Sequence, residues 1–271
     1  MNFYIDFDHT LYNTNKFIDD LINSIANYII ENGDFKHFAT NFKKIFPDLE
    51  PFKINKNIDS IKDVLKDNFK RPEETYLKIE YNIFILANNF CKLFSCDFDD
   101  LKLNINNIIE NGEKYLFTDS LHFLKNLKKS CSKVYILSHE KNDLDFQAQK
   151  ILGSGIFSKN YIDAIILSKI SKAKLTKKAL TDKENIYIAS PDNIMPDYID
   201  YENGIFIDDR PKDLENLYFT CYGNKLPKKN RIYRIERPNQ KYTNSSFSEN
   251  FKFGTNIKII HNFNELNIPK I

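Results

Sequence analysis

The sequence is poor in the residues and patterns that mark several large classes of protein. Its four cysteines, Cys91, Cys96, Cys131 and Cys221, show neither paired CxxC spacing nor histidines at ligand spacing. We therefore expect no zinc site, and we expect free thiols in a reducing compartment. Glycine is scarce, with 7 residues in 271, which we attribute to a genome-wide bias that says little about function.

Charge of one sign and long apolar runs are also missing. The formal net charge of +2 is too small to predict, by itself, a nucleic-acid or anionic-membrane partner. The longest apolar stretches, such as 81–90, contain asparagine and are shorter than a membrane span. The N-terminus lacks the basic and apolar regions of a secretory signal. We therefore expect a cytoplasmic enzyme or binding protein.

Hydrophobic periodicity divides the chain into two kinds of segment. An apolar opening run, FYIDF from Phe3, is followed by about a hundred residues whose apolar positions recur at helical spacing. Five helices are predicted in this region, at about 17–29, 35–46, 58–69, 72–94 and 98–109. No part of it is predicted to be a strand, so we expect an all-helical domain at 14–112.

From Tyr115 onward, short apolar runs alternate with helices. The predicted strands are at 134–137, 164–167, 186–189, 204–207, 232–235 and 257–260, and the predicted helices at 121–127, 144–152, 172–180 and 211–219. Continuous apolar strands separated by helices indicate a parallel sheet covered on both faces. The predicted fold class is therefore α/β, a Rossmann-like parallel sheet with helices on both faces, formed by residues 1–13 and 113–271.

Two segments of this predicted core lack a clear period. Residues 190–203, SPDNIMPDYIDYEN, contain two prolines, and we predict a surface loop rather than a flap over the site. Residues 239–254 are polar and aromatic, and we predict a loop before the last strand.

Polar side chains directly follow four of the predicted strands. Parallel sheets bind ligands outside the carboxyl ends of their strands, so these side chains are the first candidates for a site. In chain order they are Asp6 with Asp8 and Thr10 after FYI, Ser138 after VYIL, the cluster Lys169, Lys172 and Lys174 after AIIL, and Asp208, Asp209 and Asp213 after GIFI.

The acidic members of this set fit phosphoryl transfer. A carboxylate such as Asp6 can attack phosphorus and form an acyl-phosphate. Asp8 has the spacing for a general acid and base, because side chains two apart share a face if the strand continues that far. So many carboxylates require a cation, and Mg²⁺ could be held by Asp209 with Asp208 or Asp213. The serine and a lysine could then bind the phosphate.

Each part of this set also has an ordinary structural explanation. Acids after a strand often cap or solvate a turn, and a serine there is more often a helix cap. Lysine clusters are usually solvated, and paired aspartates can begin a helix. The order of the groups at successive strand ends favours the functional interpretation.

The same segments resemble the motifs of the haloacid dehalogenase-like (HAD) superfamily. FYIDFDHTLY resembles its first motif, VYILS its second and GIFIDDRPKDL its fourth. In SKAKLTKKAL, Lys172 best matches the lysine of the third motif, with Lys169 and Lys174 as alternatives. The resemblance covers roughly residues 1–13 and 113–236.

This resemblance implies a Mg²⁺-dependent phosphatase that acts on a phosphomonoester through an aspartyl-phosphate. It implies that Asp6 is the nucleophile and a metal ligand, and that Asp8 is the general acid/base and offers its backbone carbonyl to the metal. Thr10 would support the turn, and Ser138 and Lys172 would hold the phosphoryl group. Asp209, aided by Asp208 or Asp213, would complete the metal site. Because dehalogenating members lack an acid at the position of Asp8, phosphoryl transfer is favoured over carbon–halogen cleavage.

The helical segment resembles the caps that some members of this superfamily insert after the first motif. Such caps close over the site, exclude water and select the substrate. Nothing in the segment identifies a substrate, and the oligomeric state is equally open.

A second function class is suggested by the basic stretch GNKLPKKNRIYRIERPNQKY. It sets Lys225, Lys228, Lys229, Arg231, Arg234, Arg237 and Lys241 against Glu236, with tyrosines between them. A nucleotide- or nucleic-acid-binding protein with a degenerate core, or a polynucleotide or nucleotide phosphatase, would use such a surface. Runs of this kind are usually solvated, and we keep binding as the alternative.

His139 and Glu140, which follow Ser138, could also touch a substrate, although a lone histidine there is more often structural.

Overall fold

In the computed structural model, the chain divides into two compact units. One comprises Met1–Thr14 with Gly112–Ile271, and the other comprises Asn15–Asn111. The structure describes residues 1–45, 47, 51, 54, 56–70, 82–140, 143–182, 185–191, 198–223, 230–238 and 257–266. The predicted helix start at Pro72 and the predicted loop at 239–254 lie outside these ranges.

Helices make up the regular structure described in the unit Asn15–Asn111. They are α1 (Thr14–Asn32), α2 (Phe38–Ile45), α3 (Ile58–Lys70), α4 (Ile83–Phe94) and α5 (Phe98–Glu110). The prediction of one helix at 72–94 was wrong at Asn82, which is extended and caps α4: its side chain accepts hydrogen bonds from the amides of Phe84 and Ile85, so α4 begins at Ile83. No strand occurs among the described residues of this unit. Of the helices that the structure describes, none is both long and apolar enough to cross a membrane.

A seven-stranded sheet organises the described part of the other unit. Its strands are β1 (Asn2–Ile5), β2 (Lys133–His139), β3 (Ala164–Ser168), β4 (Ile186–Ala189), β5 (Ile205–Asp208), β6 (Ile232–Ile235) and β7 (Lys258–Ile260), in the order β4-β3-β2-β1-β5-β6-β7. The predicted α/β class is confirmed, with β1 at the centre between β2 and β5. Ile5 lies opposite Ile136 on one side and Ile207 on the other.

One edge of the sheet differs from the predicted all-parallel arrangement. β4 runs antiparallel to β3, whereas the other strand pairs of the described sheet are parallel. The connection between β3 and β4 contains α8 (Lys177–Thr181), only five residues long. A helix of that length advances about 7.5 Å, too little to return the chain across the sheet, so β4 starts from the edge where β3 ends.

The helices of this unit cover both faces of the sheet. Besides α8 they are α6 (Thr118–Lys129), α7 (Leu144–Gly153) and α9 (Pro211–Tyr222), with 3-10 helices at Gly112–Tyr115, Lys172–Lys174 and Phe263–Glu265. The prediction of a single helix at 172–180 was wrong. The 3-10 helix ends at Lys174, Leu175 is extended, and Thr176 caps α8 by accepting a hydrogen bond from the amide of Ala179, which separates the two elements.

Aromatic side chains bury β1 on both faces. Phe3 meets Phe123 edge-on at 6.0 Å between ring centroids. On the opposite face, Tyr4 is stacked between Tyr135 and Phe206 at 5.1 and 5.0 Å. A strand enclosed in this way has a fixed position, and so has the chain that leaves its carboxyl end.

Of the predicted surface loop at 190–203, residues 192–197 lie outside the described ranges; Ile199 and Tyr201 pack on the core, contrary to the prediction, whereas Tyr198, Glu202 and Asn203 are exposed. Ile199 is buried, and the hydroxyl of Tyr4 accepts a hydrogen bond from the amide of Asp200 at 3.0 Å. A Cβ at Gly204 would lie 2.5 Å from the carbonyl oxygen of Asp200 and 2.6 Å from the Tyr4 ring. This close approach explains the glycine at the start of β5.

Candidate active site

The carboxyl ends of the three central strands carry the predicted acidic and hydroxyl groups. Asp6 follows β1, and its amide donates to the carbonyl of Ile207 at 2.9 Å, which extends the pairing of β1 with β5 by one residue. Asp208 is the last residue of β5, and Ser138 is the last but one of β2. Because β1 is parallel to both neighbours, the three ends meet at one edge of the sheet.

Lys172 joins two of these acids. Its Nζ donates to Oδ1 of Asp6 at 2.6 Å and to Oδ2 of Asp208 at 2.5 Å. The side chains of all three residues are at most 6% exposed. Lys169 and Lys174, the other candidates for this position, are exposed. The structure therefore places Lys172, alone among the three lysines, against the acidic residues.

The backbone around Lys172 is held by elements on either side. The hydroxyl of Tyr201 donates to the carbonyl oxygen of Lys172, and the hydroxyl of Thr220 in α9 donates to the carbonyl of Ala173 at 3.3 Å. Leu175, at the end of the 3-10 helix, is buried in the core. These contacts direct the lysine side chain towards the ends of β1 and β5.

Carboxylates outnumber cations around Lys172, and the pKa values reflect this excess. Burial raises the pKa of Asp6 and outweighs the attraction of Lys172. Burial also raises the pKa of Asp208 to about 7. The pKa of Asp209 is raised well above its usual value by burial and by the charges of Asp6 and Asp208. Burial lowers the pKa of Lys172, but the neighbouring carboxylates outweigh it, so the ammonium is retained.

A divalent cation fits this cluster. One oxygen from each of Asp6, Asp208 and Asp209 lies within 4.8 Å of the others. Both Asp208 oxygens are already occupied, Oδ2 by Lys172 and Oδ1 by the amide of Arg210 at 2.8 Å. In contrast, Oδ2 of Asp209 is buried, and no donor among the described residues reaches it. Carboxylate oxygens of this kind are ligands that Mg²⁺ prefers.

Asp213, the other candidate for the metal site, lies in the first turn of α9. Its side chain is buried, with Oδ2 at 3.6 Å from NH1 of Arg210. Its negative charge contributes to the raised pKa values of Asp6 and Asp208. Asp213 therefore adds negative charge at the cluster, outside the closest set of three oxygens.

Asp8 reaches the site by a turn and not along the strand. β1 ends at Ile5, and His9 adopts a left-handed φ of 57°, so the expected common strand face with Asp6 does not form. Asp8 instead forms a β-bridge with Tyr12. The sequence pattern could not show this, because the two-residue spacing implies a shared face only while the chain stays extended.

The carboxylate of Asp8 accepts hydrogen bonds from three side chains. Lys150 Nζ donates to Oδ1 at 2.6 Å and to Oδ2 at 2.9 Å. Gln147 Nε2 donates to Oδ2 at 2.7 Å, and Thr14 Oγ1 donates to Oδ1 at 2.5 Å. Burial alone would raise the pKa of Asp8, but Lys150 and the hydrogen bonds outweigh it and lower the pKa to about 2. Asp8 is thus ionised throughout the physiological pH range.

Gln147 and Lys150 were missed by sequence reasoning. They lie one turn apart in α7, on the side that also buries Phe146 and Ile151. A glutamine and a lysine on the buried side of an amphipathic helix are the signal that could have identified them. In the sequence alone, however, both resemble solvent-facing polar residues.

Thr10 approaches Asp6, and Ser138 shares the side-chain amide of Gln147 with Asp8. Ser138 is buried, and its Oγ is 3.2 Å from Nε2 of Gln147. Thr10 Oγ1 is 3.4 Å from Oδ2 of Asp6. His139, by contrast, points its Nε2 at the carbonyl of Lys169 at 3.2 Å, and burial lowers its pKa.

Arg237 anchors the turn after β1. Its Nε and NH2 donate to the carbonyl of Thr10 at 3.1 and 2.9 Å, and NH1 donates to both oxygens of Asp119. The guanidinium carbon also lies 4.2 Å from the ring centroid of Phe117. The end of β6 is thereby tied to the turn after β1 and to the start of α6.

The described part of the basic stretch GNKLPKKNRIYRIERPNQKY is only partly exposed to solvent. Arg234 is fully buried and paired with Glu236 at 3.0 Å, and Arg237 is buried as described above. Arg231 donates to the carbonyls of Tyr201 and Gly204. The four lysines of the stretch, Lys225, Lys228, Lys229 and Lys241, lie outside the described residues. The three described arginines are thus engaged by the protein itself.

Comparison with known proteins gave matches among solved structures only. No protein-family model matches the chain, and no curated protein does. The chain is similar to a HAD phosphatase from Thermococcus onnurineus, at 14% sequence identity and a TM-score of 0.48 over 90% of each chain. It is also similar to YfnB from Bacillus subtilis, a proposed HAD-hydrolase bound to magnesium, at 15% identity and a TM-score of 0.38 over 81% of this chain and 83% of that one. Likeness at this level carries no argument about activity.

Proposed function

We propose that this protein is a Mg²⁺-dependent phosphatase of the HAD type that hydrolyses a phosphomonoester through an aspartyl-phosphate on Asp6. The observation that carries the proposal is the buried Lys172, held between Asp6 and Asp208 at the ends of two adjacent parallel strands. If these acids only capped or solvated the turn after a strand, they would be exposed to solvent. A buried lysine between two buried acids instead supports a site for a phosphoryl group and its attacking carboxylate.

The proposed reaction has two displacements at phosphorus. In the first, an oxygen of Asp6 forms a bond to phosphorus and the ester P–O bond breaks; the leaving oxygen departs as a stable anion or takes the proton of a monoprotonated phosphate group of the substrate, relayed by the ionised Asp8. In the second, water attacks the aspartyl-phosphate, the bond from phosphorus to Asp6 breaks, and ionised Asp8 accepts a proton from the water. Ser138 and Lys172 hold the phosphoryl oxygens in both steps.

The metal site would be formed by the carboxylates of Asp6 and Asp209 with the backbone carbonyl of Asp8. Bound Mg²⁺ would polarise the phosphoryl oxygens and offset the charge of the carboxylates. Asp208 supports the site by holding Lys172, and Asp213 contributes charge from α9.

An Asp6→Asn variant tests the proposal. With an aryl phosphate, whose leaving group needs little protonation, and Mg²⁺, we expect the wild-type protein to release inorganic phosphate. We expect Asp6→Asn to lower kcat by at least about 1,000-fold, because asparagine is a poor nucleophile. Circular dichroism and the thermal midpoint verify that the variant folds.

Asp145→Asn is the matched control, because Asp145 is an exposed aspartate of α7. Its activity should equal that of the wild type. A wild-type protein that hydrolyses neither the aryl phosphate nor any of a panel of phosphorylated metabolites and nucleotides in Mg²⁺ contradicts the proposal. Residual turnover in Asp6→Asn at the wild-type rate contradicts the role of Asp6.

A further inference from the structure

Asp8 is held by donors on a different element from the one that carries it. Its backbone belongs to the turn after β1, whereas Gln147 and Lys150 belong to α7. The turn contains the left-handed His9, so it lacks the regular strand geometry that would orient the side chain by itself. The orientation of this carboxylate therefore depends on the side chains that bind it.

The two donors of α7 are placed by the start of the helix. Asp143 caps α7 by accepting a hydrogen bond from the amide of Phe146 at 2.8 Å. This cap fixes the first turn, and residues three apart then lie on the same side of the helix. Gln147 and Lys150 follow in that register and reach the same carboxylate.

Because Gln147 and Lys150 are buried, breaking their hydrogen bonds to Asp8 is energetically unfavourable. Gln147 is 2% exposed and Lys150 is 5% exposed. The ammonium of Lys150 lies 6.0 Å from the ring centroid of Phe7, a buried residue of the same turn. A buried lysine without a partner is strongly unfavourable, so Lys150 and Asp8 hold each other in place.

Gln147 also couples Asp8 to the phosphate-binding serine. Its Nε2 donates to Oδ2 of Asp8 at 2.7 Å and lies 3.2 Å from Oγ of Ser138. One amide thus joins the turn after β1 to the end of β2. The two side chains that are proposed to transfer protons and to hold the phosphoryl group are thereby set relative to each other.

We propose that Gln147 and Lys150 are positioning residues that fix the carboxylate of Asp8 for proton transfer. This inference rests on the proposed phosphatase function. Lys150 binds both oxygens of the Asp8 carboxylate, and Gln147 fixes the distance between that carboxylate and Ser138. Neither residue needs to touch the substrate, because both act through Asp8.

A double-mutant cycle separates action through Asp8 from direct action on the substrate. Lys150→Met removes the ammonium and keeps the length of the side chain. We expect it to lower kcat about 10- to 100-fold, the range found for residues that orient active-site groups, and to change KM less than about threefold. In an Asp8→Asn background, the same substitution should lower kcat less than about twofold further, because its target is gone.

Two more variants give independent readings. Lys150→Arg keeps a cation that can bind both oxygens and should recover part of the lost kcat. Gln147→Glu keeps the shape but replaces the donor by an acceptor that repels Asp8, and it should lower kcat in the same direction as Lys150→Met. If Lys150→Met fails to fold, as judged by circular dichroism, the Gln147→Glu and Asp8→Asn pair forms the cycle instead.

Lys133→Met is the matched control. Lys133 is also paired with an aspartate, its Nζ lying 3.3 Å from Oδ1 of Asp163, but at the opposite end of β2. This variant should keep the wild-type kcat and KM.

The possible results have distinct meanings. Unchanged kcat in folded Lys150→Met and Gln147→Glu proteins overturns the inference and leaves a purely structural pair. A similar loss in the wild-type and Asp8→Asn backgrounds, or a raised KM with unchanged kcat, overturns it in favour of direct substrate contact. A wild-type protein without phosphatase activity overturns the proposed function and this inference with it, whereas an active wild type with insensitive variants overturns the inference alone.

Discussion

The ammonium of Lys172 lies 2.6 Å from Oδ1 of Asp6, and both side chains are buried at the carboxyl end of the central strand. The lysine arrives from a 3-10 helix that follows β3, more than a hundred and fifty residues along the chain from the aspartate. In the proposed reaction, a cation so placed would neutralise the attacking carboxylate and hold the phosphoryl group. Asp208 binds the other side of the ammonium, so the lysine is fixed by two neighbouring strands.

Replacing Lys172 by methionine should abolish most activity. The substitution keeps the length of the side chain but leaves Asp6 and Asp208 without their shared cation. We expect kcat with an aryl phosphate and Mg²⁺ to fall by about 100- to 1,000-fold, the loss typical for removal of an electrostatic stabiliser. Steady-state kinetics on protein verified as folded by circular dichroism measures this loss.

Lys174→Met and Lys169→Met are the controls for this substitution. Both lysines are exposed and belong to the same cluster in the sequence. Their variants should retain wild-type kinetics. A loss in Lys174→Met comparable to that in Lys172→Met would mean that the catalytic lysine is not the one in contact with Asp6.

Magnesium should stabilise the protein more at high pH than at low pH. Asp208 has a pKa raised to about 7 in the folded state, above the ordinary 3.8. Between these two values the folded state retains a proton that the unfolded state has lost, so without metal its contribution to stability is present below about pH 4 and is lost as the pH rises through about 7. Mg²⁺ bound by the carboxylates of Asp6 and Asp209 would place positive charge beside Asp208, favour its deprotonated form and reverse this loss.

Thermal unfolding with excess Mg²⁺ or EDTA measures this effect. At about pH 8 we expect Mg²⁺ to raise the thermal midpoint by roughly 5 to 10 °C, corresponding to saturation at about 100 times Kd, and by less at about pH 5.5. Asp209→Asn should lose the shift, whereas Asp145→Asn should keep it. Equal shifts in Asp209→Asn and wild type would exclude Asp209 as a ligand.

The strands and their polar ends were predictable because both depend on local sequence. A buried parallel strand is apolar throughout, and the polar residue at its carboxyl end follows it directly, as in the run from Phe3 to Asp6. The direction of β4 was not predictable from its four apolar residues, since it depends on how far the preceding helix carries the chain. The burial of Arg237 was equally invisible, because its partners Thr10 and Asp119 are distant in sequence.

The contacts of Asp8 mark another limit of sequence reasoning. The motif predicted a carboxylate near Asp6, but its partners depend on which side of α7 faces the turn after β1. Lys150 is a typical exposed residue by composition, and only the fold reveals that it is 5% exposed. The proposed roles of the site residues remain predictions that the variants described here test.

Gly204→Ala should destabilise the fold without a direct effect on chemistry. The added Cβ would meet the backbone oxygen of Asp200 at 2.5 Å and the Tyr4 ring at 2.6 Å, and Tyr4 is stacked between two other rings. Overpacking of this kind costs about 1 to 3 kcal/mol. Urea unfolding should show the loss as a lower midpoint with unchanged slope. A midpoint equal to that of the wild type would show that residues 198–203 give way easily.

Arg237→Met distinguishes a structural arginine from part of a nucleic-acid surface. The substitution removes the guanidinium that binds both Asp119, whose side chain is 16% exposed, and the carbonyl of the buried Thr10. Breaking a largely buried pair costs about 3 to 5 kcal/mol, so the thermal midpoint should fall by roughly 6 to 20 °C. Arg237→Lys should recover little, because an ammonium cannot replace the planar fork that binds the two groups at once. Arg231→Met removes a partly exposed arginine with longer hydrogen bonds of 3.4 Å, so it should lower the thermal midpoint less.

Wild-type stability in Arg237→Met, together with weaker salt-dependent binding to single-stranded DNA or RNA, would contradict the structural role and favour the binding alternative.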